Sequence, residues 1–215
     1  MRPLPQLAVL AIVGQLVLLA SAWLLPDISE YHLVGDNISE LAIGQYGFVQ
    51  TLAFVISGLG VLALAYGIHR VTAGIRGSLL GSVFIGIYGV GALVVAIFPS
   101  DRIDSKADVW TQSTTGRIHS ITAFVAYLSV ITGMLVLTWT FARDMHWRSL
   151  VVGSALLAGA ALALLFVQSE GPWVGLMQRL MITAISGWLI LVALRVRSVA
   201  AASQIVPSES VRSGS

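Results

Sequence analysis

The sequence predicts an all-α fold: a polytopic transmembrane bundle of six helices with both termini cytoplasmic. Three observations carry this. Apolar residues make up 57% of the 215-residue chain and charged residues only 10%, against roughly 25% charged in an average globular protein, too few to cover a soluble surface of this size. Six separate apolar runs each approach the roughly 20 residues that a helix needs to cross a bilayer core. Lysine and arginine divide unevenly between the two sets of connections, as the positive-inside rule requires. Mean hydropathy of +0.89 agrees, and the 21 glycines lie largely inside the apolar runs, where membrane helices tolerate them.

The elements follow in order. The first run extends from about Leu7 to Leu25 and the second from Phe48 to Ile68. The third is Ser78 to Phe98, the fourth Ile118 to Phe141, the fifth Leu150 to Val167 and the sixth Leu176 to Leu194. They are continuous rather than alternating, so helices and not barrel strands satisfy the backbone in lipid. The long polar connections are residues 26–47 and 99–117. Residues 1–197 form one six-helix domain, and 198–215, rich in Ser, Ala and Val, read as a disordered cytoplasmic tail. Ala20-Ser21-Ala22 has the small-x-small form of a signal-peptidase site. Arg2 alone charges the segment before it and the apolar run continues through Trp23-Leu24-Leu25, so the first helix is expected to be retained; cleavage would leave the other five oriented as before.

Charge placement sets the orientation. Arg2, Arg70, Arg76, Arg143, Arg148, Arg195, Arg197 and Arg212 fall on one side, and Arg102, Lys106, Arg117 and Arg179 on the other. Asp27, Glu30, Asp36, Glu40, Asp101, Asp104, Asp108 and Glu170 share that second side. The first side is therefore cytoplasmic and the two long acidic loops lie outside, which makes this a multi-pass protein of the plasma membrane. The composition excludes disorder, a nucleic-acid-binding domain and a secreted disulfide scaffold. Without cysteine there is no thiolate metal site and no thiol nucleophile.

The three helices that enter from outside open alike: Gly47-Phe48-Val49-Gln50, Gly116-Arg117-Ile118-His119 and Gly175-Leu176-Met177-Gln178. Each has a glycine and, three residues on, a hydrogen-bonding side chain. A helical hairpin used three times would produce this, as would chance similarity among apolar segments. A true repeat puts Gln50, His119 and Gln178 about one turn below the outer surface, facing a shared polar pocket ringed by acidic helix ends. Gly77, Gly81, Gly86 and Gly89 mark the third helix as a close-packing element, and Gly153, Ala158 and Gly159 the fifth. Trp23, Trp110 and Trp173 are placed as outer interfacial anchors, and Trp139 and Trp147 as inner ones.

His119 is an ionisable group one turn inside the outer end of helix four, where it is costly unless paired. With Asp101 it suits a general base or proton relay; the alternative is a structural hydrogen bond tying its helix to the loop. Ser39 with His119 and an acid would complete a nucleophilic triad on paper, but no Gly-x-Ser-x-Gly elbow accompanies it. Arg179 is expected to pair with Asp101, Glu170 or Glu40, or else to grip a lipid phosphate or carboxylate bidentately. Asp36 or Asn37 would cap a short helix lying over the pocket. Three imidazoles share neither face, since His32 and His119 lie outside and His69 and His146 inside, so no metal or haem is expected, and no cofactor of another kind is indicated.

Asn37-Ile38-Ser39-Glu40-Leu41, Phe98-Pro99-Ser100-Asp101, Thr115-Gly116-Arg117-Ile118-His119 and Gln178-Arg179, in that order among six helices, resemble the bacterial and archaeal six-helix membrane family known as domain of unknown function 998. The resemblance covers nearly the whole chain. It implies a plasma-membrane protein whose recurring polar positions lie on the outer face: Asp101, His119 and the Gln178-Arg179 pair. It implies no activity, cofactor or substrate. The function expected from the residues is binding of a lipid-like or small amphiphilic ligand in an outward-facing pocket by Gln50, His119, Gln178, Arg179, Glu40 and Asp101, as a sensor, accessory subunit or carrier among membrane lipids. The alternative is a membrane-embedded hydrolase or transferase acting on lipids through His119 and Asp101 with Ser39 or a water. A proton-coupled transporter is a weaker third, because no acidic residue lies at mid-membrane.

Overall fold

The computed structural model describes residues 3–102, 109–167 and 172–205. Six helices account for most of them: α1 (Leu4–Leu24), α2 (Gly47–Val71), α3 (Ser78–Ile97), α4 (Thr114–Phe141), α5 (Val151–Val167) and α6 (Val174–Ile205). Short 3-10 turns at Leu25–Ile28, Ile38–Ala42, Val109–Thr111 and Arg148–Leu150 sit in the connections, and no strand occurs among the described residues. All six helices are long and apolar enough to cross a membrane. Their ends have local causes. Pro26 tightens the end of α1 into a 3-10 turn. Phe98, driven out of the helical region by Pro99, closes α3 in an extended conformation. Gly77, at φ 91°, supplies the left-handed residue from which α3 starts.

Each helix packs on the next in sequence, and α6 closes on α1, so the bundle is a ring. Starts of α2, α4 and α6 share one end with the finishes of α1, α3 and α5; the long loops cover this end, here the loop end. Large apolar side chains such as Leu16, Leu52, Leu80 and Leu156 face outward, as lipid contact requires, so apolar burial cannot by itself hold helix to helix. Small residues and internal polar contacts do. A Cβ at Gly14 would come 2.8 Å from the Ile56 carbonyl oxygen, and one at Gly60 2.9 Å from that of Leu10, so α1 and α2 meet backbone to backbone. The buried Gln15 amide donates to Ser57 Oγ (2.9 Å) and accepts from Ser186 Oγ (2.9 Å), joining α1, α2 and α6. Trp188 Nε1 donates to Ser154 Oγ (2.9 Å), joining α6 to α5.

Three expectations need correction. Gly153 and Gly159 do not mediate close packing, since a Cβ at either would meet nothing within 4 Å. α5 turns Ser154, Ala158 and Ala161 inward instead. Trp147 is no interfacial anchor: it is 1% exposed and stacks on Phe141, centroids 4.7 Å apart and planes 14° from parallel, because the turn after α4 folds it back under the bundle. Residues 198–205 are helical rather than part of a disordered tail. Val199 and Ala200 pack against the core, and the alanines there favour helix; residues 206–215 lie outside the described segments.

Candidate functional site: a cavity beneath the loop end

The loop end is built by residues that bind each helix start to the chain around it. Asp101 lies over the first turn of α4. Its Oδ2 accepts from the Ser113 N–H and its Oδ1 from the Ser113 hydroxyl, both at 2.7 Å, while Ser113 Oγ accepts from the Gly116 N–H at 3.0 Å and caps the helix. These bonds hold the Asp101 carboxyl below its ordinary range. A Cβ at Gly116 would sit 2.5 Å from Asp101 Oδ2, so a larger residue there would push the carboxylate from its place on Ser113. One turn further on, buried His119 donates from Nδ1 to the Phe98 carbonyl oxygen (2.7 Å), tying α4 to the end of α3. The carbonyl fixes this tautomer assignment.

The first loop is bound to α6 in the same manner. Gln178 Oε1 accepts from the Ile38 N–H (2.6 Å) and the Leu176 N–H donates to Val34 O (3.0 Å). The Asp36 carbonyl passes so close to Gly175 that a Cβ there would overlap it. Gly47 lies equally close beneath the Ala42 carbonyl. The glycine that opens each of these helices therefore makes room for a loop crossing its first turn. The expected short helix over the pocket is the five-residue turn Ile38–Ala42 with Asn37 at its N-cap position. Asn37 does not cap it; its amide donates to Glu40 Oε1 at 3.0 Å.

Arg179 is 0% exposed. Its guanidinium donates from Nε to Ala22 O (2.9 Å) and from Nη1 to Asp36 O (2.7 Å) and Gly175 O (3.0 Å). Among the described residues it forms no ion pair within 4.0 Å; Asp36 and Glu40 act on it through space. Its partners are thus one carbonyl each from α1, the first loop and α6 itself, and Glu170 lies outside the described residues.

Beneath this cover lies a cavity of about 230 Å³. Asn37, Ser39, Glu40, Ser100, Asp101, His119, Ser120 and Gln178 form its polar end, and Phe54, Tyr88, Tyr127, Leu165 and Ile182 are among its apolar walls. Tyr127 stands eight positions beyond His119 along α4, about 12 Å of helical rise deeper. Of the residues singled out from sequence, His119, Gln178, Glu40, Asp101 and Ser39 line this space; Gln50 and Arg179 do not. Gln50 is buried and neither of its amide atoms has a hydrogen-bond partner among the described residues. Tyr88 and Tyr127 carried no signal in the sequence, being single aromatics within apolar runs. Glu40 is 6% exposed, and burial pushes its carboxyl above the ordinary range, with the Asn37 bond opposing. Phe124 lines the cavity yet is 58% exposed, so the space reaches the lipid-facing surface of α4.

A family model described as "Protein of unknown function (DUF998)" matches residues 8–195. No curated protein and no solved structure matches the chain.

Proposed function

We propose, for a chain that belongs to the DUF998 family of proteins of unknown function, that it binds a lipid-like or small amphiphilic ligand from the outer leaflet of the plasma membrane, as a sensor, accessory subunit or carrier. The observation that carries this is the two-ended cavity: hydrogen-bonding groups beneath the loops, aromatic and aliphatic walls deeper in the bundle. That polarity runs the same way as a membrane amphiphile with its head at the interface. The volume exceeds the roughly 150 Å³ that accommodates a benzene ring and suits a head group with the first part of a chain.

Binding has more support than the alternative, a lipid hydrolase or transferase. That chemistry asks for an imidazole–carboxylate contact. His119 Nδ1 is instead committed to Phe98 O, and both Asp101 oxygens are committed to Ser113. Native mass spectrometry of the purified protein, beside an Ala123→Phe variant that fills the cavity, tests the proposal. Wild type is expected to retain a co-purifying amphiphile that the variant loses. Equal retention by both, or by neither, sinks it. A lipid profile altered by deletion of the gene and restored by wild type but not by His119→Ala would favour the enzyme instead.

A further inference from the structure

We propose that the head group taken by this cavity is a cation, an amine or quaternary ammonium, seated against Glu40; the inference rests on the amphiphile-binding reading above and names its ligand class. Among the described residues two carboxylates, Glu40 and Asp101, line the cavity, and no lysine or arginine does. The described bases of this end are engaged elsewhere or stand apart from it: Arg102 pairs with Glu30 at the surface (2.9 Å), Arg179 donates from Nε and Nη1 to three carbonyls and, although its Nη2 has no partner among the described residues, does not line the cavity, and Arg117 is not among the lining residues. A phosphate or carboxylate head would therefore meet two carboxylates, with no lysine or arginine among the described lining residues to hold it.

Glu40 itself calls for a partner. It is buried, its carboxylate accepts from the Asn37 amide, and no cationic side chain lies within 4.0 Å of it among the described residues, Arg102 and Arg179 reaching it only through space. A buried carboxylate in a membrane protein is costly unless a positive charge answers it. A second, independent observation points to the same space. Ser100, 7% exposed, lines the cavity, and its hydroxyl has no hydrogen-bond partner among the described residues. Its oxygen can accept an N–H from a protonated amine, and its dipole can face a quaternary ammonium, which has no N–H to give. Tyr88, Tyr127 and Phe54 supply aromatic walls, which attract ammonium groups and accept methylenes alike.

The test uses the full chain in maltoside micelles and four probes: alkyl chains of one length bearing trimethylammonium, phosphate or hydroxyl, and tetramethylammonium without a chain. Native mass spectrometry is expected to find the tailed ammonium retained at least about tenfold over the tailed phosphate, with that advantage lost in Glu40→Gln. Retention of the phosphate probe equal to or above that of the ammonium probe overturns the cation assignment while amphiphile binding stands. Retention of no tailed probe overturns amphiphile binding itself. Tetramethylammonium bound as tightly as the tailed cation keeps the Glu40 site and assigns it to a free amine rather than a lipid. On wild-type protein, carbodiimide modification of Glu40 should slow about tenfold with the tailed ammonium and not with the phosphate; equal protection by both overturns the proposal without recourse to a variant.

Discussion

Asp101 and Glu40 line one cavity and are driven in opposite directions by their surroundings. Asp101 receives two hydrogen bonds from Ser113 and is held ionised below its usual range. The unfolded residue protonates at a higher pH, so its stabilising contribution is full above the ordinary Asp range and disappears as the pH falls through the folded value. Asp101→Asn is therefore expected to lower stability near neutral pH, by an amount that solvent screening keeps small, the gap from wild type closing in acid, as read by thermal unfolding in micelles across pH. For Glu40 the sign reverses. Burial favours the neutral acid, so the folded residue keeps its proton to a higher pH than the unfolded one, and stability falls as the pH rises from the ordinary carboxyl range through the folded value. Ligand-free Glu40→Gln should melt above wild type at neutral pH and level with it in acid. A variant no more stable at pH 7 than at pH 4, relative to wild type, would count against a desolvated carboxylate. A group that costs stability in the empty protein is the kind a binding site retains.

Among the elements, the helix starts carry the information. The Gly-x-x-polar openings of α2, α4 and α6 were visible in the sequence, but their cause was not. Glycine is there because a loop crosses the first turn, and His119 and Gln178 then tie that crossing down. Gly175→Ala is expected to destabilise by about 1–3 kcal/mol, since its Cβ would overlap the Asp36 carbonyl. Gly159→Ala, with nothing within 4 Å, should be neutral or gain up to about 1 kcal/mol from helix propensity. Thermal unfolding of the pair distinguishes a glycine required by packing from one that is not; equal losses would contradict the assignment. Glycine spacing alone could not separate the two cases, because spacing says which face a residue occupies and not whether a neighbour lies there.

For the whole molecule, six helices in sequence order close into a ring through α6 and α1, and the ring leaves its cavity under the loops. The acidic loops and basic connections predict which end faces out. The absence of cysteine makes the check direct. Asp27→Cys should react with a membrane-impermeant maleimide in intact cells, and Ser198→Cys only after permeabilisation. Labelling in the reverse order would invert the bundle and turn the cavity to the cytoplasm, overturning an outer-leaflet ligand.

Sequence by itself determined the number of helices, their approximate bounds and the side of the bundle where polar chemistry gathers. Hydropathy and charge are sums over a segment, and they survive without knowledge of any neighbour. Only tertiary structure decided what those polar residues do. Arg179 could be expected to pair with an acid, yet its partners are the carbonyls of Ala22, Asp36 and Gly175, which no residue type announces. Gln50 shares the motif of His119 and Gln178 but not their cavity, and Tyr88 and Tyr127, anonymous in their apolar runs, form its walls. In lipid both faces of a helix are apolar, so the pattern that marks the inward face of a soluble helix is missing. Which residues meet inside the ring is then set by close approach of backbones and by individual hydrogen bonds, and these exist only between segments distant in sequence.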